Sequence, residues 1–159
     1  MPDNYILDTC AFNDLLDGTF RLGDISSDGR FIVTHVQRDE LMATPDEARK
    51  TQLVSKFEEV DPIFVPTETF CCDVSRLDGW AKLGDGRLFG QLKTFLDAKR
   101  RKANNTQDAL IAEVAIANGF TLVTSDANLA EVATKCGACV CDPRFTSSST
   151  TPTTARLDF

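Results

Sequence analysis

The stretch TQDALIAEVAIANGFTLVTSD, residues 106–126, decides the fold. Its spacing predicts an apolar helix over residues 107–118, a helix stop at Gly119 and an apolar strand immediately afterwards. Asp108 lies in the first turn of the predicted helix, and Asp126 lies just past the end of the strand. A buried helix that leads directly into a buried strand is typical of proteins in which helices cover a parallel sheet.

The rest of the chain continues this alternation of strand and helix. The predicted strands are YILD (5–8), FIVTHV (31–36), PIFVP (62–66) and ACVC (138–141), the last two at sheet edges. The predicted helices are CAFNDLLDG (10–18), QRDELMA (37–43), a capping-box helix (44–60), RLFGQLKTFLDAKRRK (87–102) and DANLAEVATKCG (126–137). Residues 19–30 are a predicted loop, and residues 71–86 a broken helix and turn. Together the elements predict one α/β domain over residues 1–144 and a Ser/Thr-rich tail over residues 145–159.

The composition indicates a single acidic domain. The chain has 159 residues, of which 42% are hydrophobic, enough for one substantial core. The formal net charge of −7 disfavours a protein that holds nucleic acid by bulk electrostatics, although a group of carboxylates could still hold a cation. The chain lacks the pattern of a signal peptide and has no stretch long enough to span a membrane. We therefore expect a cytoplasmic protein with no membrane partner.

The six cysteines are expected to remain reduced thiols, because disulfides are rare in the cytoplasm. Cys136, Cys139 and Cys141 leave open a zinc site that Cys71 or Cys72 would complete. The second CxxC pair of such sites is missing, however. Buried, inert thiols are the favoured interpretation.

Several carboxylates are directed by local structure to one edge of the predicted sheet. Asp8 closes the first strand, Asp126 follows the strand of the opening stretch, and Glu40 lies one turn into the helix after the second strand. The carboxyl ends of parallel strands share one edge, and ligands bind there. Asp108 joins this group only if its helix begins at the same edge.

Four acids at one edge would repel one another unless a cation lay among them. Mg²⁺ or Mn²⁺ suits an all-oxygen site, makes water easier to deprotonate and stabilises charge on a phosphoryl oxygen. The pattern therefore points to phosphodiester hydrolysis. Taken singly, Asp108 and Asp126 could merely cap or complement a helix. Glu40 could be a solvated helix residue, with its neighbour Asp39 in its place.

The segments YILDTCAFNDLLDG, FIVTHVQRDELMA and NNTQDALIAEVAIANGFTLVTSDANL resemble the successive acidic motifs of PIN-domain ribonucleases. The similarity is strongest to VapC-type toxins of toxin–antitoxin pairs and covers most of residues 5–130. It implies a PIN-like three-layer α/β/α sandwich with a central parallel sheet of four or five strands, an RNA substrate, an antitoxin partner and a homodimer. It also implies four catalytic, metal-binding acids, namely Asp8, Glu40, Asp108 and Asp126. Thr9 matches the small polar residue that follows the first acid and supports the site.

Other residues bear on this resemblance. The family often has a further acid where this chain has Asn128, a neutral amide that could still ligate or hydrogen-bond in the site. The strong basic cluster, Lys99-Arg100-Arg101-Lys102, could guide an RNA backbone or be a solvated helix end. His35, the sole histidine, is interpreted as a packing or hydrogen-bonding residue rather than a general base.

Two other functions stay open on the sequence alone. A haloacid-dehalogenase-like, Mg-dependent phosphatase also has an Asp after its first strand, but it needs a second Asp two residues later, where this chain has Cys10. A receiver domain would need an early acid pair and a late Lys, and neither is clear. A catalytically weak or inactive PIN-like RNA-binding or adaptor module is the alternative that Asn128 favours.

Overall fold

A computed structural model describes residues 3–71 and 84–148. Its five strands form one parallel sheet in the order β3-β2-β1-β4-β5, with β1 at the centre. The strands are β1 (Asn4–Leu7), β2 (Arg30–Val33), β3 (Ile63–Phe64), β4 (Thr121–Val123) and β5 (Cys139–Cys141). The predicted parallel sheet is confirmed, including the edge positions of its third and last strands.

Seven α-helices connect and cover these strands within the described part of the chain. They are α1 (Thr9–Leu16), α2 (Leu22–Ile25), α3 (His35–Met42), α4 (Glu47–Val60), α5 (Arg87–Lys99), α6 (Asn105–Asn118) and α7 (Ala127–Lys135). A 3-10 helix, Pro143–Ser148, follows β5 and spans the predicted start of the tail. The remainder of the tail and most of the predicted 71–86 segment lie outside the described residues.

The sheet separates two hydrophobic cores because successive strand residues point to opposite faces. Ile6, Ile32 and Leu122 pack with residues of α5, α6 and α7 on one face. Leu7, Val33 and Val123, each the next residue along its strand, pack with residues of α1 and α4 on the other. The predicted three-layer α/β/α sandwich is therefore confirmed.

Helix α6 is the most deeply buried helix segment of the first core. Every residue from Ala109 to Ala115 is buried, and even Glu113 is only 4% exposed. Such a helix is apolar all round because other elements surround it. Gly119 ends it in the left-handed conformation at φ +69°, as predicted.

The second strand is shorter than predicted because Thr34 begins a helix. The Thr34 Oγ1 atom accepts a hydrogen bond from the Val36 amide at 3.1 Å, and the Gln37 side chain accepts one from the Thr34 amide at 2.9 Å. Gln37, fully buried, also donates through Nε2 to the Leu7 carbonyl of β1 at 2.9 Å. The apolar residue Val36 thus reaches the core from α3 rather than from a strand.

Two other local predictions are wrong in detail. Asp46, not Thr44, caps α4, since its Oδ1 accepts a hydrogen bond from the Arg49 amide at 2.8 Å. The predicted loop over residues 19–30 contains the short helix α2.

None of the helices in the described residues is both long and apolar enough to cross a membrane.

Candidate active site

Two acids lie side by side at the carboxyl edge of the sheet because their strands are neighbours. Leu7 pairs with Val123 in register, and the amide of Asp8 donates to the Val123 carbonyl at 3.0 Å. Asp8 follows β1 directly and Asp126 follows β4 by three residues. This arrangement places both acids where the sequence pattern predicts them.

The carboxylate of Asp8 is buried and held by three donors. It is 3% exposed, and it accepts hydrogen bonds from the Thr9 amide at 2.8 Å, the Cys10 thiol at 3.1 Å and the Thr124 hydroxyl at 2.9 Å. Burial raises the pKa of Asp8 above its ordinary value, and these donors only partly oppose the rise. The donors fix the direction of both carboxylate oxygens.

Thr124 connects the first and last acids, a role the sequence analysis did not assign. Its Oγ1 donates to Asp8 Oδ2 and accepts a hydrogen bond from the Asp126 amide at 3.1 Å. The signal was present as the Thr-x-Asp ending of the opening stretch. The sequence does not show that Thr124 contacts Asp8, since the two residues lie 116 positions apart.

Cys10 occupies the position two residues after Asp8 and serves as a neutral donor. Burial and the neighbouring Asp8 charge raise the pKa of its thiol to about 12. The Ser125 hydroxyl lies 3.4 Å from its sulfur and also donates to Asp14 at 2.7 Å. Cys10 is therefore part of the support of Asp8 rather than a reactive thiolate.

Glu40 reaches the same site from α3. Its Oε1 accepts a hydrogen bond from the Thr9 hydroxyl at 2.9 Å. Burial, together with the charge of Asp8, raises the pKa of Glu40 to about 7. Glu40 is thus an acid of α3 that interacts with Asp8, and Thr9 bridges the two elements as a supporting residue.

Asp108 completes the cluster because α6 begins at this edge of the sheet. It is 4% exposed, and its Oδ2 has no hydrogen-bond partner within residues 3–71 and 84–148. Burial raises its pKa to about 8, and the charges of Asp8 and Glu40 add to the rise. The condition that its helix must start at the site is met.

Asp126 is also the cap of α7. Its Oδ1 accepts hydrogen bonds from the amides of Asn128 at 2.9 Å and Leu129 at 3.2 Å. Burial alone would raise its pKa, but these amides and Lys102 together lower it below the ordinary value. Asn128 thus contributes to the site through its backbone amide, and the other oxygen of Asp126, Oδ2, accepts a hydrogen bond from Lys102.

The predicted basic cluster divides between different partners. Lys102 places its Nζ 3.1 Å from Asp126 Oδ2 and 4.0 Å from Asp108 Oδ2. Lys99 instead pairs with Glu131 on α7 at 2.6 Å. Arg100 and Arg101 are exposed. The four residues therefore do not form one uniform surface.

Comparison with known proteins shows a related fold. The family model described as PIN domain matches residues 89–135, a segment that holds Asp108 and Asp126. VapBC2 from Rickettsia felis, solved bound to a DNA fragment from its promoter, has 16% sequence identity and a TM-score of 0.55, with 86% of this chain and 96% of that chain covered. The fold is PIN-like. The resemblance predicted from the sequence is confirmed at this level.

Two further solved structures are similar at lower TM-scores. FitAcB from Neisseria gonorrhoeae has 16% identity and a TM-score of 0.47, with 87% of this chain and 97% of that chain covered. A domain of a functionally unknown protein from Methanocaldococcus jannaschii has 17% identity and a TM-score of 0.49, with 87% and 89% covered. No curated protein matches the chain.

The acids of this PIN-like chain fit a hard divalent cation by their chemistry. They supply only oxygen donors, and the unsatisfied Oδ2 of Asp108 is a buried acceptor that a cation would satisfy. Among the described residues no three His, Cys, Asp or Glu side chains are arranged tightly enough to hold a metal as they stand. The Lys102 ammonium lies within 4.0 Å of oxygens of two of the acids, Asp108 and Asp126.

The predicted zinc alternative gains no support from the described residues. Cys71, Cys136, Cys139 and Cys141 are in no disulfide and form no metal-binding group there. Cys139 is exposed and the other three are only partly buried, so the expected full burial of these thiols is wrong. Cys72 lies outside the described residues. His35 is 3% exposed at the start of α3, in keeping with a packing or hydrogen-bonding residue.

Proposed function

We propose that the protein is a metal-dependent endoribonuclease that hydrolyses RNA phosphodiester bonds. Asp8, Glu40, Asp108 and Asp126 would hold Mg²⁺ or Mn²⁺. The observation that carries the proposal is the buried, unsatisfied carboxylate oxygen of Asp108 among three other acids at the carboxyl edge of the sheet. A buried carboxylate oxygen that accepts no hydrogen bond is costly to ionise, and a divalent cation would offset that cost more fully than Lys102, whose Nζ lies 4.0 Å away.

The chain's own residues orient these acids for that role. Thr124 and Cys10 hold Asp8, Thr9 holds Glu40, and the first turn of α7 holds one oxygen of Asp126. Fixed carboxylates lose little freedom when a cation binds, which favours binding. When bound, the cation would lower the pKa of water and stabilise negative charge on the phosphoryl oxygens.

The proposed partner is an antitoxin, and the proposed assembly is a homodimer. The support is the similarity of fold to VapBC2 together with the order of acidic motifs along the chain. Contact with RNA would be local, through the exposed Arg100 and Arg101, because the net charge of −7 opposes contact over the whole surface.

The test is cleavage of structured RNA by the purified protein. We expect cleavage with Mg²⁺ or Mn²⁺, none with chelator, and a loss of about 100-fold or more for Asp108→Asn and Glu40→Gln. Asp39→Asn is the matched control, since it removes the adjacent carboxylate of the same helix and is expected to retain cleavage. Cleavage that survives both chelator and Asp108→Asn would contradict the proposal.

The toxin assignment has a separate test in cells. Expression of the wild-type chain should arrest growth, and the Asp108→Asn variant should not. Co-expression of a small DNA-binding protein encoded next to this gene should relieve the arrest. Growth that is unaffected by the wild-type chain would contradict the toxin assignment without contradicting the nuclease activity.

A catalytically weak RNA-binding module is the second candidate. Two observations favour it: Asn128 stands where a further acid is common, and no metal-ready trio of ligands exists among the described residues. RNA binding that is equal in wild type and Asp108→Asn, without cleavage by either in Mn²⁺, would select this function.

A further inference from the structure

Lys102 lies inside the acid cluster rather than on the open surface. Its ammonium is 3.1 Å from Asp126 Oδ2 and 4.0 Å from Asp108 Oδ2, and its side chain is 26% exposed. The residue belongs to the connection between α5 and α6.

The two oxygens that Lys102 faces are those that other groups leave available. Asp126 Oδ1 is occupied by the first turn of α7, so Oδ2 is its available oxygen. Asp108 Oδ2 is the buried oxygen without a hydrogen-bond partner in the described part of the chain. The ammonium is therefore placed at the position where a cation shared by these acids would bind.

The connection that carries Lys102 is fixed by its own hydrogen bonds. The buried side chain of Asn105 donates to Asp97 Oδ1 at 2.9 Å and to the Arg100 carbonyl at 2.8 Å. The amide of Asn105 also donates to the Lys102 carbonyl at 3.2 Å. The backbone is thus held, and movement of the ammonium requires only rotation of the side chain.

We infer that Lys102 is an internal counter-ion that occupies the cation position of the metal-free protein and is displaced when a divalent metal binds. The inference rests on the proposed metal site. Two positive charges cannot share the same carboxylate oxygens at short range without strong repulsion, so metal and ammonium compete. Lys102 thereby limits metal affinity while it stabilises the empty site.

The first test is titration of Mn²⁺ into metal-free protein by calorimetry. We expect Lys102→Gln to bind Mn²⁺ about three- to tenfold more tightly than wild type, because a competing, partly exposed ion pair is removed. Lys99→Gln is the matched control, since it removes one charge from the same basic run and, among the described residues, breaks the pair with Glu131 on α7. Equal gains in Mn²⁺ affinity in both variants would mean that the change in net charge alone causes the effect, and would overturn the inference.

Thermal unfolding of the same proteins separates displacement from a structural role. Without metal, Lys102→Gln should melt below wild type, because two acids lose their counter-ion. With saturating Mn²⁺ the difference should shrink or reverse. A deficit of equal size with and without Mn²⁺ would mean that Lys102 only supports the fold.

A third measurement uses the wild-type chain and needs no variant. Reductive methylation of lysines, followed by peptide mass analysis, should label Lys102 faster when Mn²⁺ is present than with chelator. The labelling of Lys99 should not change. Labelling of Lys102 that ignores Mn²⁺, or a protein that binds no Mn²⁺, would overturn the inference.

The outcome is distinguishable from failure of the proposed function. Metal-dependent RNA cleavage with unchanged Mn²⁺ affinity in Lys102→Gln would support the nuclease function and contradict the counter-ion role of Lys102. Displacement of Lys102 by Mn²⁺ without RNA cleavage would support the counter-ion role and contradict the nuclease function.

Discussion

Asp108 and Asp126 show how two chemically identical residues acquire opposite properties within one site. Asp126 has amide donors and an ammonium beside it, so its pKa falls, whereas burial and like charges raise the pKa of Asp108 to about 8. The metal-free site therefore retains a proton on Asp108 near neutral pH. Its charge is smaller than the count of carboxyl groups suggests.

Stability of the metal-free protein should depend on these protonated acids. Asp108 and Glu40 have ordinary pKa values of 3.8 and 4.5, and folding raises them to about 8 and about 7. Between these values the folded state binds protons that the unfolded state has lost, so the free energy of unfolding falls as pH rises from about 4 to about 8.

Thermal unfolding in chelator across this pH range tests the prediction. The wild-type melting temperature should decrease with rising pH, and Asp108→Asn should flatten the decrease by several degrees, at roughly 2–4 °C per kcal/mol. Equal slopes in both proteins would show that Asp108 does not titrate as proposed.

Thr124 should matter for both stability and cleavage. Thr124→Val keeps the shape but removes the donor to Asp8 and the acceptor for the Asp126 amide. We expect a loss of about 1–3 kcal/mol in chemical denaturation and slower RNA cleavage per folded molecule. Thr134→Val is the control, since the exposed Thr134 hydroxyl donates to the Ala130 carbonyl of its own helix, and it should stay within about 0.5 kcal/mol of wild type. Similar losses in both would contradict a special role for Thr124.

The acids and Thr9 were predictable from the sequence, but the roles of Thr124 and Lys102 were not. An acid that closes an apolar strand can be placed from the local pattern, because strand ends share an edge. Thr124 and Lys102 act through contacts with Asp8 and Asp126, and these depend on how distant segments pack. No local spacing specifies such contacts.

At the scale of elements, a Gly→Ala substitution should have opposite effects on stability at the end of α6, Gly119, and in the middle of α5, Gly90. Gly119 has φ +69°, so Gly119→Ala should cost about 1 kcal/mol although its Cβ would meet no atom within 4 Å. Gly90 lies within α5 and also has open space, so Gly90→Ala should stabilise by about 0.5–1 kcal/mol. Denaturant unfolding of both variants checks the opposite signs. A change of the same sign in the free energy of unfolding of both variants would show that backbone conformation does not determine the effect.

The elements themselves were largely predictable because their apolar spacing is strong. Helix α6 and strand β4 follow from the opening stretch with errors of two residues or fewer. The predicted strand FIVTHV ran too far because its apolar letters continue into α3, where Thr34 already caps the helix. A cap depends on side-chain geometry, which apolar spacing does not contain.

For the whole molecule, the negative charge predicts weak and local contact with RNA. In the Asp108→Asn background, which prevents cleavage, replacing both Arg100 and Arg101 with Gln should make the plot of log affinity against log salt shallower by about 1.4, at roughly 0.7 per lost phosphate contact. Arg30→Gln is the control, since Arg30 starts β2 at the opposite edge of the sheet. An unchanged slope in the double variant would exclude these arginines from the RNA contact.

The central position of β1 has a consequence for synthesis. Its neighbour β4 is made more than a hundred residues later, and Leu7 must wait for Val123 before the two strands can pair. Asp8 and Glu40 are therefore synthesised well before Asp108 and Asp126. For a protein proposed to cut RNA, this order keeps the nascent polypeptide inert beside the message that encodes it.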